Sequence, residues 1–443
     1  MRFTTTRARR AAATAGATVA VLALAACAGG DSGLSPAGED TAAPPAEECP
    51  CEIRFSWWGS DSRHAATQEI IDAFEAENPD ITVVPDFTDW SGYWDKLATS
   101  VAASDAPDVM TQEERYISDY ASRGVLADLS ALEIDTSKVD AAILAGGQTA
   151  DGQFGIPTGV NAYAVVIDPE IFAAAGVEVP DDETWTWDDY VEIANEISAK
   201  APEGVYGAQD YGFNEAGINV MARQRGESLY TADGKVGVSK ETVTDFFQVS
   251  LDLQAGGGEP DAARTMEIQD AGPEGSLLGT NTGAMGVWWS NQLGALSKAS
   301  GRELQLLRLP GESEGERTGM YLKPAMFYSI SSKSEYPQAS AKFVDFLLNS
   351  PAAAEIMLTD RGLPANTEVR EGILDKLDAP NALVADFMAE IAPTIVDSPP
   401  VPPNGSGDVA DITERLNAEV LFGRLTPEKA AEQFLSELEA AIG

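Results

Sequence analysis

Residues Glu52 to Val84 read EIRFSWWGSDSRHAATQEIIDAFEAENPDITVV, and this stretch decides the fold class. Ile53, Phe55 and Trp57 alternate with Arg54 and Ser56, the period-two signature of a strand. Gly59, Ser60 and Asp61 break the alternation, and Ser60, Asp61 or Ser62 supplies a helix cap. Ala66, Ile70 and Phe74, with Ile71 beside them, give one apolar helical face. Pro79 disfavours helical geometry at Asn78 and stops the helix, and Ile81 to Val84 is the next strand. Two strands joined by a helix pair in parallel through a right-handed crossover. The loop from Trp58 to His64 then lies at the carboxyl edge of a sheet, where open α/β folds bind ligands. The rest of the chain is expected to build a cleft facing that loop.

Working outward, Trp94, Leu97 and Val101 share a helical face, and Asp105-Ala106-Pro107 ends that helix before a short strand, Asp108-Val109-Met110. Glu113, Glu114, Arg115 and Tyr116 follow on a loop, then a helix carrying Tyr120. This βαβαβα alternation marks an α/β sheet domain. Residues 155–167 form an extended run long enough to leave one domain and enter another. Thr186 is placed to cap a helix whose Asp188 and Asp189 favour the dipole end. Thr231 to Val236 reads as a hairpin turn, and Thr282 to Trp289 as a strand ending in a polar loop, Ser290-Asn291-Gln292. The apolar run from Tyr321 to Ser331 is expected to cross back between domains. A rigid proline-rich loop runs from Ser398 to Gly405, and two amphipathic helices close the chain.

The eight tryptophans fall into four groups: Trp57 and Trp58, Trp90 and Trp94, Trp185 and Trp187, Trp288 and Trp289. Sugars have polar rims and apolar C–H faces, so a site for them needs flat aromatic surfaces and short polar side chains. Asp61, Arg63, Asp89, Glu113, Glu114, Arg115, Asn161, Asn214, Asn291 and Gln292 stand near these rings in sequence. A single Trp is as often core as ligand contact, but four clusters favour a site containing at least two of them.

The formal charge of −42 argues against nucleic acid and against adhesion to anionic lipid; a solvated acidic surface is the plain reading. The first ten residues carry four arginines, and an alanine-rich apolar run ends at Leu24-Ala25-Ala26-Cys27. That is a secretory leader, over residues 1–26. It resembles a bacterial lipoprotein signal, which makes Cys27 the lipidated new N-terminus. Arg9-Arg10 leaves both general and twin-arginine export open. Residues 27–51 are rich in Gly, Ser, Pro, Ala and acid, the composition of a flexible tether. Cys49 and Cys51 flank Pro50, and a disulfide and two free thiols are equal alternatives there.

Some chemistry is missing. His64 is the single histidine, expected to face solvent at a helix start, so a His-based triad or a multi-His metal site is excluded. There is no GxGxxG or Walker loop. No cofactor and no metal site are expected.

The ordered landmarks WWGSD, AENPDITV, ASDAPDVM, GQFGIPTGVNAYAVVIDPEIFAAAGV, TWTWDDYVEIA, GAMGVWWSNQ, PQASAKFVDFLLNSPAAAEIM and GRLTPEKAAEQFL resemble the extracellular solute-binding proteins, family 1, that serve sugar ABC importers. The resemblance covers nearly everything after the tether. It implies a two-lobed periplasmic-binding-protein-like clamp (type II), each lobe a sheet flanked by helices, with hinge closure on a sugar and docking of the closed form to permease subunits. Expected lobes are 52–160 plus 284–329, and 161–283 plus 330–443. Carried over by position, Trp58, Ser60 and Asp61 sit at the cleft, with Glu113, Glu114, Arg115 and Tyr116 after PDVM and Trp288 and Trp289 in the later strand. Asn161 stands where the family has a ligand-binding acid. Arg63, Trp90, Asn214 and Asn291 complete the candidate set. The chain is expected to act as a monomer, exported, tethered at the outer face of the bacterial membrane, and not to be an enzyme. The alternative is an exported carbohydrate-active enzyme with a carboxylate pair. Arg63, Arg115 and Arg223 suit a uronate, but salt bridges with the many acids explain them as well, so a neutral oligosaccharide is the expected ligand.

Overall fold

In the computed structural model, which describes residues 49–59, 61–269 and 271–443, the chain builds two separate α/β sheets joined by a third, small one. β1 (Cys51–Trp58), α1 (Asp61–Glu77), β2 (Ile81–Thr88), α2 (Trp90–Ala102), β3 (Val109–Gln112) and α3 (Glu114–Ser122) follow in the expected alternation. β1 pairs in parallel with β2, from Cys51 opposite Ile81 to Trp58 opposite Thr88, and with β3 on its other edge. α1 stops where Pro79 requires, and Asn78 Nδ2 donates to the Phe74 carbonyl (2.9 Å). Asp89 caps α2 by accepting from the Gly92 N–H (2.8 Å). The expected tether residue Cys51 already belongs to β1, and a disulfide joins it to Cys49. Cys27 and Ser60 lie outside the described residues.

A short hairpin of β4 (Gln148–Thr149) and β5 (Gly152–Gln153) leads into β6 (Ile156–Pro157), β7 (Gly159–Asn161) and β8 (Tyr163–Ile167). Later come β9 (Tyr206–Ala208), β10 (Gly283–Trp289), β11 (Gln305–Leu307), β12 (Lys323–Pro324), β13 (Phe327–Ile330) and β14 (Leu363–Pro364). The first sheet has the order β2-β1-β3-β13-β6, the second β11-β8-β10-β9, and the small one β12-β7-β14. Three consecutive strands, β6, β7 and β8, therefore belong to three different sheets. The extended run at 155–167 gives β6 to the first sheet, β7 to the small one and β8 to the second, and the run from Tyr321 gives β12 to the small sheet and β13 to the first. The small sheet takes one strand from each of three passages. The strands lie so close that a β-carbon on Gly159 would sit 2.4 Å from the Arg361 carbonyl oxygen, which is why a glycine stands there.

Two expected lobe assignments are corrected. The 284–329 segment, placed with the first lobe, carries β10, which pairs antiparallel with β8 (Met285 opposite Ile167, Trp289 opposite Tyr163) and parallel with β9. β10 thus belongs to the second sheet. Conversely the helix Pro337–Asn349, placed with the second lobe, packs on the first. Its Phe343 ring lies 5.3 Å from Phe55 and 5.0 Å from Phe74, and Phe346 lies 5.4 Å from Phe74. Alternation of apolar residues reports that a strand is buried, but not which sheet receives it. That choice is made by long-range pairing.

The second lobe is completed by helices Trp187–Lys200, Lys240–Gly256, Val409–Leu421 and Pro427–Ile442. The first of these opens on a capping box, with Thr186 and Asp189 each accepting from the other's backbone. No helix among the described residues is long and apolar enough to cross a membrane.

Phe343 is fully buried between two rings of the first sheet's core. Phe343→Ala is therefore expected to cost about 3–5 kcal/mol in urea unfolding, the range for a large aromatic removed from a packed core. A loss under about 1 kcal/mol would mean that this helix does not pack on the first sheet.

Candidate functional site

β3 ends at Gln112, and Glu113 caps α3 in extended conformation. One of its carboxylate oxygens accepts from both the Arg115 N–H and Arg115 Nε (each 2.9 Å). Its other oxygen accepts from Lys323 Nζ (2.9 Å), which also lies 3.2 Å from Glu114. Lys323 stands on β12 in the small sheet, so this ion cluster ties α3 of the first lobe to the crossing strands. Arg115 continues it to the second lobe: its Nη1 lies 3.7 Å from Glu215, the first residue of the helix Glu215–Gln224. The chain Glu114–Lys323–Glu113–Arg115–Glu215 thus spans both lobes.

Burial and charge set the titration of these groups. Burial opposes ionisation of Glu113, but Lys323 and Arg115 outweigh it and hold the carboxyl at about 2. Burial raises the Glu114 carboxyl above its ordinary value against the pull of Lys323. Both Lys323 and Arg115 are held protonated more strongly than usual by Glu113.

This cluster floors a cleft that is partly open to solvent. Glu114, Arg115 and Lys323 face it from one side, and Glu215, Tyr230 and Trp289 from the other. Lys323 Nζ lies 5.5 Å from the centre of the Trp289 ring, whose other neighbour is Tyr163 at 4.8 Å. Tyr230 Oη is buried without a hydrogen-bond partner among the described residues. The proline-rich loop forms a cover from Ser398 to Pro402. It is anchored at its start by the fully buried Arg223, whose guanidinium engages Asp397 (2.7 Å) and the Gly319 carbonyl (3.0 Å). On the other side it meets α3, where Ser118 Oγ donates to the Pro402 carbonyl (2.7 Å) and Ser406 Oγ to the Arg115 carbonyl (3.2 Å).

The remaining sequence candidates divide. Trp58, Trp90, Trp94 and Tyr116 form a continuous aromatic cluster on the first lobe, with Trp58 to Trp90 at 5.0 Å and Trp94 to Tyr116 at 4.1 Å. Trp58 is buried in it, whereas Trp90 is exposed. Arg63 is committed elsewhere, its Nε on Asp360 (2.5 Å) and Nη2 on the Asp360 carbonyl (2.8 Å). Asp61 is exposed at the start of α1, away from the cavity wall. Asn161 is buried on β7 opposite Lys323, with its Oδ1 unpartnered among the described residues. Asn214 caps the helix Glu215–Gln224 by accepting from the Ala216 N–H (2.9 Å). Trp288 points to the opposite face of β10 from Trp289, and Asn291 lies half-buried in a 3-10 turn beyond the strand, off the cavity. His64, expected to face solvent, is half-buried: its Nδ1 accepts from Trp57 Nε1 (3.1 Å), its ring stacks on Phe87 (4.2 Å), and burial lowers its pKa.

Sequence reasoning missed Lys323, Glu215, Tyr230 and Tyr321. A signal existed for Lys323, the one charge inside the apolar run from Tyr321 to Ile330. Glu215 directly follows the candidate Asn214. Tyr230 and Tyr321 carry no local mark.

The model of the bacterial extracellular solute-binding protein family matches residues 59–354. An uncharacterized lipoprotein of Streptomyces antibioticus is 26% identical over 329 residues, covering 72% of this chain and 71% of its own. A diacetylchitobiose-binding protein of Streptomyces coelicolor is 23% identical over 363 residues, covering 80% of this chain and 81% of its own. A family 1 extracellular solute-binding protein from Alicyclobacillus acidocaldarius superposes with a TM-score of 0.69 at 28% identity, over 90% of this chain and 100% of that one.

Because Glu113 is ionised in the folded chain down to about pH 2, it adds stability above its ordinary carboxylate range, and that stability is lost as pH falls through the range toward 2. Glu113→Gln is expected to lose about 3 kcal/mol at pH 7. The gap to the unaltered protein narrows steadily in denaturant titrations from pH 5 to pH 2. A gap that stays constant with pH would remove the ion pairs as its cause.

Proposed function

Because the chain belongs to the bacterial extracellular solute-binding protein family, we propose that it is the capture subunit of an ABC importer that takes a sugar between its two lobes. The observation carrying this reading is the cavity whose walls come from α3, the small sheet, β10 and the proline-rich loop, so that a ligand there touches both lobes at once. A ligand that contacts both walls has more affinity for the closed arrangement and shifts the population toward it. Aromatic faces at Trp289, Tyr230 and Tyr321 suit the C–H faces of a sugar, and the carboxylates of Glu114 and Glu215 suit its hydroxyls. Relatives named for diacetylchitobiose and lactose binding support a saccharide.

The lobes are proposed to divide at the small sheet, with 51–157 plus 327–373 on one side and 159–321 plus 379–443 on the other. Export and lipid attachment at Cys27 would hold the receptor, as a monomer, within reach of its permease; the lipoprotein among its relatives supports the anchor. The ligand-contact set is proposed to be Glu114, Arg115, Glu215, Tyr230, Trp289 and Tyr321. The enzyme alternative has less support, because Glu113 and Glu114 both engage the Lys323 ammonium instead of standing apart as an acid and a base.

Calorimetric titration of the chain against mono- and oligosaccharides tests this reading, with tryptophan fluorescence followed in parallel. One-to-one binding without product formation is expected. Trp289→Ala is expected to weaken that binding by about tenfold or more, the scale of a lost aromatic platform. Turnover of the saccharide, or binding indifferent to Trp289, would contradict it.

A further inference from the structure

The charges of the ion cluster beneath the cavity do not balance, with Glu113 lying behind the cavity lining. Along the ion chain, Glu113, Glu114 and Glu215 carry three negative charges, against two positive charges on Lys323 and Arg115. Glu113 is saturated, with both oxygens accepting charged hydrogen bonds. Glu114 and Glu215 are not. The cation nearest each lies at 3.2 Å and 3.7 Å, and no hydrogen bond reaches the Glu215 carboxylate from the described residues. One of these acids stands on α3 and the other across the cavity on the helix Glu215–Gln224. The buried Tyr230 hydroxyl lines the same cavity without a partner. Free cations are absent from the arginines that would suit an acidic sugar: Arg63 is held by Asp360, Arg115 by Glu113 and Arg223 by Asp397.

A partly buried excess carboxylate in a closed cleft costs free energy unless a cation meets it. Hydroxyl groups can donate to it but leave the charge uncompensated. We infer that the saccharide carries a protonated amine, which sits between Glu114 and Glu215 and is walled by the Tyr230 and Trp289 rings. The ligand class is thus an amino sugar or an amine-bearing sugar mimic, neither the uronate that free arginines would take nor the neutral oligosaccharide expected from sequence. The inference rests on the saccharide-receptor reading above. It also gives closure a physical cause, because an ammonium held by one acid from each lobe adds a second tie across the cavity beside the Arg115–Glu215 pair.

The test is calorimetric titration of the full chain with glucosamine oligomers, glucose oligomers of the same linkage and N-acetylglucosamine oligomers. The glucosamine series is expected to bind at least about tenfold tighter than the glucose series, the scale of a charge-assisted contact in a closed site. That preference should fall to within about twofold in Glu215→Gln, which retains the shape of the side chain but not its charge. A matching loss is expected in Glu114→Gln. Equal or weaker binding of the amine series, with glucose or N-acetylglucosamine oligomers still bound in a Trp289-dependent way, would overturn the amine and leave the saccharide reading standing. An amine preference that persists in both variants would overturn the assignment to these acids. No binding of any series would overturn both readings.

Discussion

Lys323 carries an ammonium into a place from which water is largely excluded, and two glutamates of α3 meet it there. A buried charge without partners is not tolerated, so the position of β12 and the start of α3 are fixed against each other. The rest of the site follows from that contact. The same strand pairs with β7, which is the outward passage between lobes, and β7 pairs with β14, the third crossing strand. The small sheet therefore holds the passages together at the point where the ion cluster sits. Trp289 lies over the ammonium from the second lobe, and Arg115 extends the cluster toward Glu215. The floor of the cleft and the junction between lobes are one structure, so a ligand that changes the charge balance on the floor acts directly on the junction.

The proline-rich loop adds a second tie. Its start is fixed to the second lobe through Arg223, which stacks over Tyr321 at 5.3 Å while engaging Asp397. Its end reaches α3 through Ser118 and Ser406. Proline limits the backbone freedom of such a segment, so less conformational entropy is lost in holding it across the cavity. A glycine at position 407 lets the chain pass close to Tyr116, where a β-carbon would meet the ring at 3.2 Å.

How much of this was legible in the sequence follows the range of each interaction. The βαβαβα opening was readable because alternation at Ile53, Phe55 and Trp57, the apolar face of α1 and the stop at Pro79 are local signals. The cap at Thr186 is local as well, while Asp89 and Asn214, candidates for ligand binding, serve as caps. The lobe that owns β10 was not readable, since its partners β8 and β9 are far away in the chain. The same limit explains the site. Glu114, Arg115 and Trp289 could be chosen from the loops that carry them, but Tyr230 and Tyr321 join the cavity only through tertiary packing. Arg63 illustrates the reverse case: it stands in the expected loop, and a carboxylate almost three hundred positions later, Asp360, claims its guanidinium.

The central claim is that one ligand touches both lobes across the ion cluster. Hydrogen exchange of backbone amides, with and without a saturating saccharide, tests it most directly. The account predicts slowed exchange together at 113–116 on the first lobe, at 215–230 and 286–289 on the second, and at 398–402 in the covering loop. Protection confined to one lobe, with the other wall exchanging as in the free protein, would contradict it.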